Sequence, residues 1–275
     1  MSRRFVKMNG LGNDCVVVED DGAPFAPSAD DVRAIAARAG GIGCDQLIVL
    51  SASGAADAHM RIWNSDGGEV GACGNAARCV GWLIMQASGR PNASIETAGG
   101  RLEVWDAGER AVTVDMGPPG LGWRDIPLAE EMDTARIELQ IGPIDAPILH
   151  TPGCVSLGNP HVVFFVEDAD VAPVAKVGPM IEHHHLFPER ANVGFAQIKA
   201  HDRIRLRVWE RGAGLTRACG TGACAALVAA HRRGLAGRAA TLELDGGELA
   251  IEWRATDGHV LMTGPIEVEF TGVLP

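Results

Sequence analysis

Two cysteines, Cys73 and Cys219, are each followed by glycine and stand at a fixed offset: adding 146 to the first position gives the second. The same offset takes Leu11-Gly12-Asn13 to Leu157-Gly158-Asn159, Gln46 to Asn192, Arg61 to Arg207, Trp63 to Trp209 and Asn64 to Glu210. Across residues 60–80 against 206–226, seven of 21 positions are identical without a gap. A pair of thiols suits proton transfer, the thiolate of one accepting a proton and the other giving one back. Repetition at one offset indicates a duplicated unit. Two halves of one fold packed about a pseudo-two-fold axis would make the cysteines face each other across a single cleft.

The elements that must position these thiols read alike in both halves. Alternating patterns at Met60-Arg61-Ile62-Trp63, Ile204–Trp209 and Leu242-Glu243-Leu244 predict strands, and the apolar runs Val16–Val18 and Val162–Val166 predict buried ones. After Cys73 an apolar stripe through Ala76, Val80, Leu83 and Ile84 predicts a helix that stops before Gly89; after Cys219 a stripe through Ala223, Ala226, Leu227 and Ala230 predicts one that stops at Gly234. Each half therefore reads strand, glycine-rich turn, cysteine, helix. A cysteine at a helix entry meets unpaired backbone N–H groups and the positive end of the helix dipole, which lower a thiol pKa. Gly74 and Gly220 leave those N–H groups open to a ligand carboxylate. A further helix is expected over Asp30 to Ala39, capped at Ser28, and Pro118-Pro119-Gly120 is the expected crossing between halves.

The halves differ in their polar groups. Asn64 is matched by Glu210, which Arg211 follows, and Asp14-Cys15 is matched by Pro160-His161. Asn13, Gln46, Asn64, Asn159 and Asn192 are amides in or beside turns, where such residues are common for local reasons, but all of them fall on the same offset as the cysteines. A pocket of this kind suits a ligand with two similar, non-identical ends.

Composition narrows the class. The chain has 275 residues, 47% of them apolar, enough for a core in each of two domains. A net charge of −11, three lysines (Lys7, Lys176 and Lys199) and no basic cluster exclude a nucleic-acid surface. No apolar run is long enough to span a bilayer, and Met1-Ser2-Arg3-Arg4-Phe5 opens no signal peptide, so a cytoplasmic protein is expected. Seven cysteines argue for thiols rather than a disulfide framework, and Cys15, Cys44, Cys79, Cys154 and Cys224 read as small core residues. The Cys73–Cys79 spacing, with five residues between, is too wide for a usual zinc knuckle. His183-His184-His185 reads as a polar loop, and Gly40-Gly41-Ile42-Gly43 lacks the strand and lysine of a nucleotide loop, so no metal and no cofactor are expected.

With these residues in view the chain resembles the diaminopimelate epimerase family. The resemblance rests on Met8–Asp14, Gly41–Gln46, Asn64–Gly67, Cys73–Cys79, Gly158–His161, Asn192–Phe195, Glu210–Gly214 and Ala218–Gly222, which follow in order over nearly the whole chain. It implies an α+β fold of two pseudo-symmetric domains, each a curled mixed-to-antiparallel sheet around a central helix, with the active site in the interdomain cleft. The implied domains are 1–118 with a return strand at 265–275, and 119–264. It implies a homodimer that epimerises LL-2,6-diaminopimelate to the meso form, in lysine and peptidoglycan-precursor biosynthesis, without pyridoxal phosphate. Carried over by position, Cys73 and Cys219 are the acid and base, and His161 and Glu210 tune their pKa values. Asn13, Gln46, Asn64, Asn159, Asn192, Glu210 and Arg211 bind the ends of the diamino dicarboxylate, and Gly74-Asn75 with Gly220-Thr221 give backbone donors. Departures are modest: Asn9 stands where His is common, Cys15 and Cys44 where Phe is common, Ala76 where Gly is common and Leu215 where Glu is common. A proline or hydroxyproline racemase, a non-catalytic amino-acid-binding module and a zinc-bound redox sensor are the competing readings.

Overall fold

The structure is a computed structural model that describes residues 3–20, 24–71 and 73–274; Met1, Ser2 and Pro275, included in the expected first half, lie outside the described residues. The chain divides into two compact units, Met1–Asp115 with Thr263–Pro275, and Met116–Met262.

In the first unit the strands are β1 (Arg4–Gly10), β2 (Asn13–Glu19), β3 (Gln46–Ser51), β4 (Ala58–Asn64), β5 (Glu69–Val70), β6 (Asn92–Thr97), β7 (Gly100–Asp106) and β8 (Ala111–Asp115), with helices α1 (Ala29–Ala36) and α2 (Gly74–Ser88). The sheet is mixed: β1 pairs antiparallel with β2, β2 parallel with β3, β3 antiparallel with β4, β4 parallel with β6, and β6, β7 and β8 continue antiparallel. Helix α2 packs against β1, β2, β6, β7 and β8, so the sheet curls around it. Its burial follows from composition, since Ala76, Ala77, Cys79, Val80 and Gly81 are small enough to bring the helix close to the strands. It ends where the sequence places its stop, at Gly89 in the left-handed region (φ 69°).

The second unit repeats this order. After a short hairpin of β9 (Gln140–Ile141) and β10 (Leu149–His150) come β11 (Gly153–Ser156), β12 (Pro160–Phe165), α3 (Val174–Glu182), β13 (Asn192–Ala200), β14 (Arg203–Glu210), β15 (Gly214–Thr216), α4 (Gly220–Arg232), β16 (Ala239–Leu244), β17 (Gly247–Trp253) and β18 (Val260–Pro265). The pairings match those of the first unit: β11 antiparallel to β12, β12 parallel to β13, β13 antiparallel to β14, β14 parallel to β16, β16 antiparallel to β17. Even the register repeats. Cys15 lies opposite Gln46 and His161 opposite Asn192; Leu47 lies opposite Trp63 and Val193 opposite Trp209. The offset of 146 thus holds in three dimensions up to the central helices, and helix α4 packs against β11, β12, β13, β14, β16 and β17 as α2 does in its own unit. The last strand, β19 (Glu267–Val273), pairs antiparallel with β1.

Two local readings are corrected. The expected helix at 30–39 is shorter: it spans Ala29–Ala36, and Ala37 is already extended (φ −60°, ψ 122°). The cause is the returning loop, in which Ile42 N and Gly43 N both donate to the Ile35 carbonyl and Cys44 N donates to that of Ala36. A Cβ on Gly41 would sit 2.2 Å from the Ala34 carbonyl oxygen, so the glycines of this loop serve close helix termination. The start is as read, with Ser28 and Asp31 bonding reciprocally in a capping box worth about 1 kcal/mol. Helix α3 was not expected at all. Gly178 and Pro179 at its centre are poor helix formers, and packing against β13 and β14 outweighs their propensity. The three histidines fall just past its end.

Candidate active site

In the first unit, Cys73 is the N-cap of α2, in extended backbone (φ −150°, ψ 119°), and its carbonyl accepts from Ala77 N at 2.9 Å. Gly74 and Asn75 follow in the first helical turn, both buried. Gln46 and Asn64 face each other at the ends of β3 and β4, and Gln46 Nε2 donates to Asn64 Oδ1 at 3.1 Å. Asn13 opens β2 opposite Gly10, and Gly10 packs against Asn75, whose Cβ would lie 3.6 Å from a Cβ built on the glycine. The turn between β1 and β2 is held by Asn9, whose Oδ1 accepts from Gly12 N at 2.7 Å while Leu11 and Gly12 both take positive φ.

Two amide oxygens here lack a partner among the described residues: Oε1 of Gln46, 8% exposed, and Oδ1 of Asn75, 7% exposed. A buried acceptor left unsatisfied is costly, and it marks where an N–H donor of a ligand would be welcome.

Behind these amides lies a charge network that the sequence reading missed. Asp14 N donates to Asp45 Oδ2 at 3.1 Å and Asp45 N to Asp14 Oδ1 at 2.9 Å, clamping the residue after Asn13 to the residue before Gln46. Arg38 reaches both Asp14 oxygens, at 2.9 and 3.0 Å, and buried Lys7 bonds Asp14 Oδ2 and the Gly43 carbonyl. Burial would raise the Asp14 carboxyl, but Arg38 and Lys7 more than offset that and hold it well below the usual carboxylate range.

In the second unit, Cys219 caps α4 in extended backbone (φ −128°, ψ 105°), and its carbonyl accepts from Ala223 N at 2.9 Å. The side chain is 4% exposed. Its sulfur lies 3.7 Å from Thr221 Oγ1, with the Gly222 N–H and the Glu210 carboxylate near enough to act on it electrostatically, and Glu210 Oε1 accepts from Thr216 Oγ1. Asn159 Nδ2 donates to Thr221 Oγ1 at 3.5 Å, and His161 Nε2 lies 2.9 Å from Asn159 Oδ1. Because an amide oxygen only accepts, His161 carries its proton on Nε2. Asn192 is occupied by backbone: Oδ1 accepts from Arg211 N and Nδ2 donates to the Pro160 carbonyl, both at 3.0 Å. Arg211 is exposed, with Nη1 on the Glu189 carbonyl at 2.9 Å. Glu210 and Arg211 point to different partners and form no ion pair with each other.

The electrostatics revise one expectation. A helix N-terminus was expected to lower the Cys219 pKa, yet burial pushes this thiol well above its ordinary value, with the Glu210 charge adding to the rise and Thr221 and the Gly222 N–H only partly opposing it. Glu210 is itself raised by burial. His161 is pushed down to about 3 by burial and then by the positive charge of Arg211, so it is neutral near pH 7. Cys219 is therefore a thiol with a carboxylate against it, an arrangement in which Glu210 can take the sulfur proton.

Elsewhere, Cys15, Cys44, Cys79, Cys154 and Cys224 are all buried, as core residues should be. Among the described residues no three His, Cys, Asp or Glu side chains converge as a metal site, and no helix is long and apolar enough to cross a membrane.

This architecture is shared with solved structures of other proteins. A hydroxyproline epimerase from Agrobacterium vitis superposes with a TM-score of 0.69 at 17% identity, covering 99% of this chain and 92% of that one. A phenazine biosynthesis protein of the PhzF family from Enterococcus faecalis superposes with a TM-score of 0.70 at 15% identity over 100% of both chains. At such identities the likeness defines the fold alone. Sequence is more specific. The diaminopimelate epimerase family model matches residues 5–121 and 153–269. A diaminopimelate epimerase of Phenylobacterium zucineum is 67% identical over 275 residues, covering 100% of this chain and 99% of that protein, and one of Caulobacter sp. strain K31 is 60% identical over 288 aligned positions, covering 100% and 98%. The chain belongs to the diaminopimelate epimerase family.

Proposed function

We propose that this isomerase converts LL-2,6-diaminopimelate to the meso form with Cys73 and Cys219 as its two proton-transfer groups. One sulfur, as thiolate, takes the proton from the substrate α-carbon. The other, as thiol, returns a proton to the opposite face of the carbanion, and the roles exchange in the reverse direction. The carbanion has no electron sink other than its own carboxylate, and the N–H groups at the starts of α2 and α4, with Gly74-Asn75 and Gly220-Thr221, are the donors that would stabilise it.

The observation that carries this reading is the duplication itself: in both units the same register of strands delivers a cysteine to the N-cap of the central helix. The Glu210 carboxylate against Cys219 gives that thiol a base, and Gln46 Oε1 and Asn75 Oδ1 are acceptors suited to an ammonium group. Asn13, Asn64, Asn159, Asn192 and Arg211 complete the substrate contacts in this reading, with the Arg211 guanidinium on the carboxylate remote from the reacting carbon. A homodimer working in the cytoplasm is part of the same proposal.

The test is solvent exchange. In deuterium oxide the protein should introduce deuterium at the α-carbon of diaminopimelate and interconvert its LL and meso isomers with no added cofactor. Binding of diaminopimelate without α-deuteration would instead favour a non-catalytic binding module.

A further inference from the structure

Glu182, the last residue of α3, is only 3% exposed, although it is a carboxylate. The offset that relates the two units pairs it with Ala36, so the group belongs to one half alone. Both of its oxygens are engaged. Oε2 accepts from the Trp209 indole Nε1 at 2.7 Å, and Oε1 accepts from Gly212 N at 3.0 Å; Arg190 Nη1 stands 3.9 Å from Oε1. Residues 209 and 212 flank Glu210 and Arg211, so one carboxylate holds the chain on both sides of that dipeptide.

The contact with Trp209 is reinforced from α3. A Cβ built on Gly178 would lie 2.4 Å from Trp209 Cγ, so only glycine there lets the indole lie against the helix. An apolar side chain would seat an indole equally well by packing. A buried carboxylate is costly unless its hydrogen bonds are made, and here they are made to the two ends of one short segment. Asn192 adds a third hold, on Arg211 N.

We infer that Glu182 is a positioning residue: by gripping residues 209 and 212 it fixes the Glu210 carboxylate against the Cys219 thiol and sets the direction of Arg211. The inference rests on the function proposed above. Glu182 touches no reacting atom and acts through Glu210.

The experiment uses the full chain and two readouts, epimerisation kinetics and the pH dependence of iodoacetamide alkylation at Cys73 and at Cys219, followed separately by peptide mapping. Glu182→Gln turns one acceptor into an NH2 group facing an N–H donor. The kcat/KM for diaminopimelate should fall about tenfold, the scale of one lost hydrogen bond to a charged group. The groups acting on Cys219 are Glu210, Thr221 Oγ1 and Gly222 N; with Glu210 displaced its charge no longer raises the thiol, so the Cys219 midpoint should move to lower pH while that of Cys73 stays. Trp209→Phe, which removes one of the two donors, should do the same to a smaller extent. If Glu182→Gln fails to fold, Trp209→Phe decides by the same readouts. A folded variant with wild-type kcat/KM and an unmoved Cys219 midpoint overturns the inference. A wild-type chain that does not epimerise diaminopimelate overturns the function instead, and the alkylation midpoints still decide the role of Glu182.

Discussion

A methyl group on Gly222 would lie 3.1 Å from Cys219 Sγ and 3.2 Å from Val208 Cγ2. The sulfur sits in the space this glycine leaves, within reach of the Gly222 N–H, and the equivalent position in the first unit is Ala76. Gly222→Ala should therefore leave the protein folded, since alanine favours the helix, but push the sulfur off its seat by a few tenths of an ångström. Proton transfer depends steeply on such distances. We expect kcat for epimerisation to fall about tenfold or more with an unchanged thermal midpoint. Wild-type kcat in this variant would show that the seat does not set the position of Cys219.

The two thiols differ in setting, and so should their reactivity. Cys73 is half-buried, whereas Cys219 is 4% exposed and raised by burial and by Glu210. With limiting iodoacetamide near pH 8, Cys73 should label first, because the thiolate is the reactive form. Glu210→Gln removes a charge that disfavours the Cys219 thiolate, so its alkylation midpoint should move to lower pH. Turnover should nevertheless fall by roughly 100-fold or more, within the usual range for loss of a general base. A Cys219 midpoint that does not respond to Glu210→Gln would separate the two groups.

Much of this arrangement is legible in the sequence because the duplication repeats residue types at one offset. Cys73, Cys219, Asn64, Glu210 and the paired amides stand out on that basis, and both central helices follow from their apolar stripes. Helix α3 shows what propensity hides: Gly178 and Pro179 argue against a helix, yet adding 146 to Ala29–Ala36 gives 175–182, almost the observed span. The offset was the better signal. Contacts that depend on sheet register between distant segments could not be read in this way. Lys7 meets Gly43 and Asp14 meets Asp45 only once β2 and β3 have paired, and Glu182 becomes a clamp only once α3 has packed on β14. The energetic balance at Cys219 was equally hidden, since burial outweighs the helix N-terminus there.

His161 gives a prediction in acid. Its folded pKa is lowered from 6.5 to about 3, first by burial and then by Arg211. The unfolded chain therefore binds a proton at a pH where the folded one does not, and the stability associated with neutral His161 falls as pH drops from about 6.5 towards about 3, being fully present above that window. His161→Gln keeps a donor for Asn159 Oδ1 without a titrating ring. Packing losses should make this variant less stable at pH 7, but its denaturation midpoint should depend less steeply on pH between about 6 and 4 than that of the wild type. Urea unfolding followed at half-unit pH intervals measures the two slopes. Equal slopes would mean that His161 takes up its proton without unfolding, and that the bond to Asn159 tolerates an imidazolium.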